Sequence, residues 1–343
     1  MPSRIRKKES AAEALEAFDR LYQEGDLEGA LALSNGARRR YPEDAALLHA
    51  HGLALWGLGK FQQATESMQQ AIERDPALCE AHLDLAALLV DHLGYPDDAL
   101  EVLRSPRRLF SEPTYRAAAH SLRGRAWLFK EDPHAAVKEL RKARRHQPDD
   151  ADLATELAGM QLEALDLDGA ARTLAEAGEL DAEQAQTHWL RALVLDRRGQ
   201  HEQAVEAFQE AARLAPEDCF VPERFTDEEF ERHVETALAG IPDRFRRHLK
   251  NAELAVEAYP SDQLARDQGI SPLILGLFLG TPLTDRSFDH ADLPPRILIF
   301  QRNLENVCRT RQELVHEIGI TVRHEIGHLL GMDEEAVHDA GHG

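Results

Sequence analysis

Cysteine is scarce in this chain. Cys79, Cys219 and Cys308 are the only three in 343 residues, far apart and odd in number. That argues against a disulfide framework and against a thiolate zinc site, and it matches a reducing compartment. Aromatic residues make up only 6%, while Ala, Leu, Glu and Arg dominate, a bias that favours helix over sheet. Positive charge is outweighed: the formal net charge is -21. Nucleic acid is therefore not the expected partner, because phosphate binding needs a dominant basic surface. Basic clusters at Arg4 to Lys8, Arg141 to Arg145 and Arg244 to Arg247 are each flanked by acidic residues and read as solvated helix faces. Long hydrophobic runs are also missing. The most apolar stretch, Ile270 to Gly280, has about half the length that spans a bilayer and contains Pro272, so no membrane partner is expected. Residues 1–10 are basic and lead into an amphipathic helix with no apolar run between, unlike a secretory signal. They read as a disordered tail, and the expected location is the cytoplasm.

The length exceeds what one hydrophobic core usually serves, so two structural units are expected. The first is repetitive. Gly25-Asp26-Leu27-Glu28-Gly29-Ala30 is followed by Ala37 and Pro42, and 34 residues later Gly59 to Ala64 is followed by Ala71 and Pro76. The clearest copy is Gly199 to Ala204 with Phe208, Ala211 and Pro216. Ala136, Ala143 and Pro148 mark another register, and Ala170 with Ala177 a further one. A weaker unit around Leu85, Leu89 and Ala99 completes about six, with some extra residues between Ser105 and Pro113. Small residues sit where two antiparallel helices approach, a glycine makes the turn between them, and a proline ends the second helix.

These positions resemble the tetratricopeptide repeat. The resemblance implies hairpins that cannot bury their apolar faces alone and stack into a solenoid over residues 11–218. Its groove is expected to hold a peptide or protein partner. His82, His188 and Trp189 fall on first helices, where groove-facing and packing roles are both open.

The repeat phase ends at Pro216-Glu217-Asp218, and residues 219–224, containing Pro222, read as a linker. Residues 225–343 follow a different pattern. Thr226 with Glu229 forms a capping box for a helix whose Phe230, Val234, Leu238 and Ile241 share one side, with Gly240 and Pro242 ending it. Alternating Leu254, Val256 and Ala258 predict a half-buried strand, and Ile297-Leu298-Ile299-Phe300 a second short strand. Gly276 to Leu283, interrupted by Gly280 and Pro282, reads as turns or a short segment. From Thr310 to Leu330 the apolar residues Leu314, Ile318, Val322, Ile326 and Leu329 recur at helical spacing.

That last helix carries His324-Glu325-Ile326-Gly327-His328. Two histidines four residues apart project from one helix face and reach one cation, while the glutamate lies beside the metal without binding it. With Zn2+ as the cofactor, the metal acidifies a bound water and Glu325 takes its proton as general base. The water oxygen then attacks a polarised peptide carbonyl, and Glu325 delivers the proton to the leaving amine. Gly331 can end the helix and swing the chain back to bring an acidic third ligand to the metal. Glu334 stands at the ten-residue spacing, with Asp333 the alternative and His338 a weaker candidate near the Gly-ending tail. His316-Glu317-Ile318-Gly319-Ile320 copies the start of the motif with Ile320 in place of the second histidine, so His316 is expected to be structural or exposed.

Residues from about Phe225 to Ala336 resemble the minimal zincin-like metallopeptidase domain found in bacteria. The match lies in the opening Phe-Thr-Asp-Glu-Glu-Phe helix, Gly276 to Leu283, Arg296 to Arg302 and the His-Glu-Ile-Gly-His helix. The resemblance implies a zincin core, with the strand Ile297, Leu298, Ile299 and Phe300 above the metal and its edge open to an extended peptide. It also implies an aspartate as third ligand and an aromatic residue before Gly331. This chain has Leu330 and Glu334 at those places. The expected architecture is multidomain: an all-α tetratricopeptide-type solenoid, then a small α+β zincin-like domain. The expected function is zinc-dependent peptide hydrolysis with the repeats docking a partner. The alternative is a repeat scaffold with a structural or regulatory zinc site. Oligomeric state and substrate are not readable from these patterns.

Overall fold

The computed structural model describes residues 10–104, 109–247, 249, 252–282, 284 and 294–332. Twelve helices come first: α1 (Ala11–Gln23), α2 (Leu27–Arg40), α3 (Ala45–Gly57), α4 (Phe61–Arg74), α5 (Cys79–Asp91), α6 (Pro96–Val102), α7 (Pro113–Phe129), α8 (Pro133–His146), α9 (Ala151–Glu163), α10 (Leu167–Leu180), α11 (Ala185–Arg197) and α12 (His201–Leu214). Neighbours α1 and α2, α3 and α4, α5 and α6, α7 and α8, and α11 and α12 pack as hairpins. Ser10, expected in the N-terminal tail, instead caps α1: its hydroxyl accepts from Glu13 N and the Glu13 carboxylate accepts from Ser10 N.

The alanines of the repeat pattern are where two helices meet. Ala30, Ala64, Ala71, Ala136, Ala143, Ala170, Ala177, Ala204 and Ala211 are all fully buried. The approach is close enough to require glycine opposite. A β-carbon at Gly124 on α7 would lie 1.9 Å from Leu140 Cδ2 and 3.4 Å from the Ala136 carbonyl on α8. The interhelix turns need a left-handed residue, and Gly25, Gly59, Gly94 and Gly199 supply it at φ 78°, 71°, 67° and 74°. At the corresponding turns before α8 and α10 the same conformation falls on Glu131 (φ 59°) and Leu165 (φ 57°). His82 is buried and bonded to the Leu78 carbonyl, and Trp189 packs edge-on against Phe208 and Phe220, so both are packing residues.

The chain forms two compact units, residues 1–160 and 161–343. The second unit thus contains the final repeat helices and all that follows: α13 (Asp227–Ala239), α14 (Asp243–Arg246), β1 (Glu253–Glu257), α15 (Asp262–Gln268), β2 (Gly276–Leu279), β3 (Arg296–Phe300), α16 (Gln301–Val307) and α17 (Arg311–Leu330). The reason lies at the expected linker. Residues 219–226 have no regular structure, yet Arg224 donates to Asp196 on α11 at 3.1 Å and to Glu305 on α16 at 3.0 Å. Glu305, with no exposed surface, also accepts from Phe225 N, Gln301 and Arg302 at 2.9–3.0 Å. Arg309 donates to the carbonyls of Pro216 and Glu217. Burial pushes the Asp196 carboxyl up, but Arg224, Tyr259 and His201 outweigh it and hold it below its ordinary value.

The three strands form one sheet in the order β1-β3-β2, β1 parallel and β2 antiparallel to β3. Gly276 to Leu279, read from sequence as turns or a short segment, is therefore a strand. One expectation for Ile297, Leu298, Ile299 and Phe300, an edge open to a peptide, is not met. All four are fully buried, and β3 is the central strand with partners along both edges. It has no edge left for a peptide, because its continuous apolar run suits burial between neighbours. The core beneath the sheet is made by Phe225, Phe230, Val234, Ile297, Ile299 and the apolar face of α17.

Candidate metal and catalytic site

The site grows out of α17. Thr310 and Glu313 make a capping box that starts this 20-residue helix, and Gly331 in the left-handed conformation (φ 87°) stops it. Leu314, Ile318, Val322, Ile326 and Leu329 are buried on one side of it. Burial of that side sets the rotation of the helix. It turns His324, Glu325 and His328 toward β2, where they line a cleft of about 550 Å³ with Ile270, Ile274, Gly276, Leu277, Phe278, Gly280, Pro282, Thr284, Gly331 and Met332.

The two imidazoles converge. His324 Nε2 and His328 Nε2 are 3.0 Å apart, with ring planes at 80° and centroids 4.6 Å apart. Two nitrogen ligands of a tetrahedral zinc ion lie about 3.3 Å apart, given Zn–N bonds of about 2.0–2.1 Å. Seating the ion requires an opening of a few tenths of an ångström, within the reach of side-chain torsions. The paired nitrogens suit a borderline cation, and the negative end of the α17 dipole lies in the same final turn. Glu325, 6% exposed, sits between the histidines in sequence and faces β2. A β-carbon on Gly276 would lie 2.8 Å from Glu325 Oε1, so the glycine makes the room this carboxylate occupies.

His316 is exposed two turns earlier on α17, away from this constellation. Glu334, Asp333 and His338 lie outside the described residues, and among the described residues no three metal-binding side chains cluster. What the sequence did not reveal is the opposite wall of the cleft. Gly276, Leu277 and Phe278 come from a four-residue strand that begins at Gly276 and is followed by Gly280, and Ile270 and Ile274 come from the irregular segment before it. The only local signal was the Gly276 to Gly280 spacing.

The class that fold and site define is a helical-repeat protein bearing a small α+β domain with a two-histidine helix. Family comparison sharpens this: residues 249–342 match the zincin-like metallopeptidase family, and residues 49–111 and 185–218 match tetratricopeptide repeats. The chain thus carries a tetratricopeptide array followed by a zincin-like domain. Among solved structures, it is similar to PilW, described as a widely conserved type IV pilus biogenesis factor. That match has 18% identity and a TM-score of 0.55, covering 61% of this chain and 94% of PilW. PilF of Pseudomonas aeruginosa matches at 18% identity and a TM-score of 0.51, over 61% of this chain and 95% of that one. At this identity both likenesses concern the fold alone. No curated protein matches the chain by sequence.

Proposed function

We propose that the protein is a zinc-dependent peptidase in which His324 and His328 bind the metal, Glu325 is the general base, and the repeats engage protein or peptide partners. The observation that carries this reading is the 3.0 Å convergence of the two Nε2 atoms beside a buried glutamate, in a cleft with a strand along its other side. We take Glu334 as the third ligand, with Asp333 the alternative. Zinc, when bound, would supply Lewis acidity and an acidified water.

The chain's own groups then have distinct tasks. Glu325 is buried between α17 and Gly276, so its carboxylate is fixed in orientation and has a short path for accepting a proton and returning it to the amine that leaves. Among the described residues the outer edge of β2 has no strand partner, and it is assigned the task expected of β3: its backbone groups would take an extended peptide as an added strand. Ile270, Ile274, Leu277 and Phe278 line the cleft, which favours an apolar side chain next to the scissile bond. The three cysteines are free thiols, consistent with the cytoplasmic location proposed. Among the described residues no helix is long and apolar enough to cross a membrane.

The test is zinc content together with hydrolysis of a peptide library. The wild type should hold one zinc per chain and cleave, and Glu325→Gln should keep the metal and lose cleavage. A chain without stoichiometric zinc overturns the proposal. A fourth protein ligand at the metal would instead define a structural site.

A further inference from the structure

Residues 270–275, which bring Ile270 and Ile274 to the cleft, form no helix or strand. Side chains from elsewhere hold this segment. Pro272 O accepts from Asn303 Nδ2 at 3.0 Å and from Arg197 Nη1 at 3.2 Å, and Ile274 O accepts from Asn303 Nδ2 at 2.7 Å. Ser271 Oγ donates to Glu163 Oε2 at 2.6 Å and accepts from Leu273 N at 3.1 Å. Asn303 belongs to α16, but Glu163 is the last residue of α9 and Arg197 the last of α11. Both are repeat helices.

Arg197 is not a surface charge that happens to lie nearby. Its side chain is 4% exposed. Its second nitrogen, Nη2, donates to Pro260 O at 2.8 Å and to Asp262 at 3.2 Å, and the guanidinium lies 5.1 Å above the Tyr259 ring. One planar group therefore bridges the two ends of the β1-to-β2 connection, at Pro260 and Pro272, from a repeat helix. A buried backbone carbonyl that loses its donor carries a desolvation penalty, so the fork favours this one placement of the segment.

We propose that Arg197 and Glu163 are positioning residues that set the apolar wall Ile270 to Ile274, making the last repeats a structural part of the cleft. This rests on reading the cleft as the place where substrate binds. Neither residue touches the histidines or Glu325 in the hydrogen bonds described, so their influence falls on substrate binding and not on the proton-transfer step.

The experiment uses the full chain with Ser271→Ala, Arg197→Ala and Arg197→Lys. Hydrogen exchange of the 273–276 amides is measured alongside zinc content and the kinetics of a peptide carrying an apolar residue at the cleaved bond. Losing one such hydrogen bond should speed local exchange by about tenfold. KM should rise by a similar factor, with kcat within about twofold and zinc content unchanged. Arg197→Lys should recover part of the effect, since it keeps a donor but not the fork. Wild-type exchange and KM in both Ser271→Ala and Arg197→Ala overturn the proposal. Should Arg197→Ala fail to fold, Ser271→Ala decides alone. If the wild type cleaves nothing, the exchange rates still decide whether the repeats hold the wall, and only the peptidase reading falls.

Discussion

Gly276 of β2 lies directly against Glu325 of α17. A β-carbon placed there would sit 2.8 Å from Glu325 Oε1 and 2.8 Å from Thr321 Cγ2. Neither neighbour can yield easily, because Thr321 and Glu325 are both buried on the same helix. Gly276→Ala should therefore push Glu325, the proposed general base, out of place. We expect hydrolysis to fall by about tenfold or more with zinc content retained, at a stability cost of about 1–3 kcal/mol. Metal analysis, urea titration and turnover measured on one preparation separate the effects. Unchanged turnover would show that the strand gives way instead.

On the proposed reading, a chelator should lower the thermal midpoint of the wild type. A ligand bound only by the native state adds about 2.7 kcal/mol at a hundredfold excess over its Kd. The effect should vanish in a His324→Ala/His328→Ala double variant, whose midpoint should not respond to chelator. A wild type insensitive to chelator would count against the two histidines.

Glu131 occupies a left-handed turn position that glycine fills at Gly25, Gly59, Gly94 and Gly199. An L side chain pays about 1–2 kcal/mol there, part of which glycine gives back as flexibility in the unfolded chain. Since Glu131 is exposed, little packing is lost with its side chain. Glu131→Gly should stabilise the first unit by about 0.5–1 kcal/mol, read as a higher urea midpoint.

Burial pushes the Glu139 carboxyl up, but hydrogen bonds and charge from His120 and Lys142 outweigh it and hold it at about 2, against an ordinary value of 4.5. A depressed carboxyl contributes stability that is present above 4.5 and is lost as pH falls toward 2. Glu139→Gln should therefore cost most at neutral pH, with the gap to wild type closing between about pH 4.5 and 2. Denaturation followed across that range checks the sign.

Much of the architecture was legible because it is written in local chemistry. A 34-residue spacing of Gly, Ala and Pro encodes a helical hairpin, and the structure has those alanines at the helix contacts and those glycines at φ near 70°. The capping box read at Thr226 starts α13, and the helical spacing read from Thr310 is α17. The role of β3 was misread because a buried apolar run does not say whether its strand has one neighbour or two. β2 was missed because four residues bounded by glycine carry too little pattern to identify a strand.

The sequence by itself determined the repeat phase, the two-histidine helix motif and the spacing that puts His324 and His328 on one face of α17. The motif and the histidine spacing depend on residues within one or two turns of each other, where helix geometry converts spacing directly into position, and the repeat phase is a recurrence of local turn and contact signals every 34 residues. The tertiary structure alone decided that β3 is central and that Gly276 leaves room for Glu325. It also decided that Arg197 and Glu163 of the repeats hold the wall carrying Ile270 and Ile274. Those relationships join residues from 17 positions apart, at Leu279 and Arg296 in the sheet, to 108 positions apart, at Glu163 and Ser271. Carbonyls, carboxylates and guanidinium groups carry no local signature of the partner they will meet once the cores have closed.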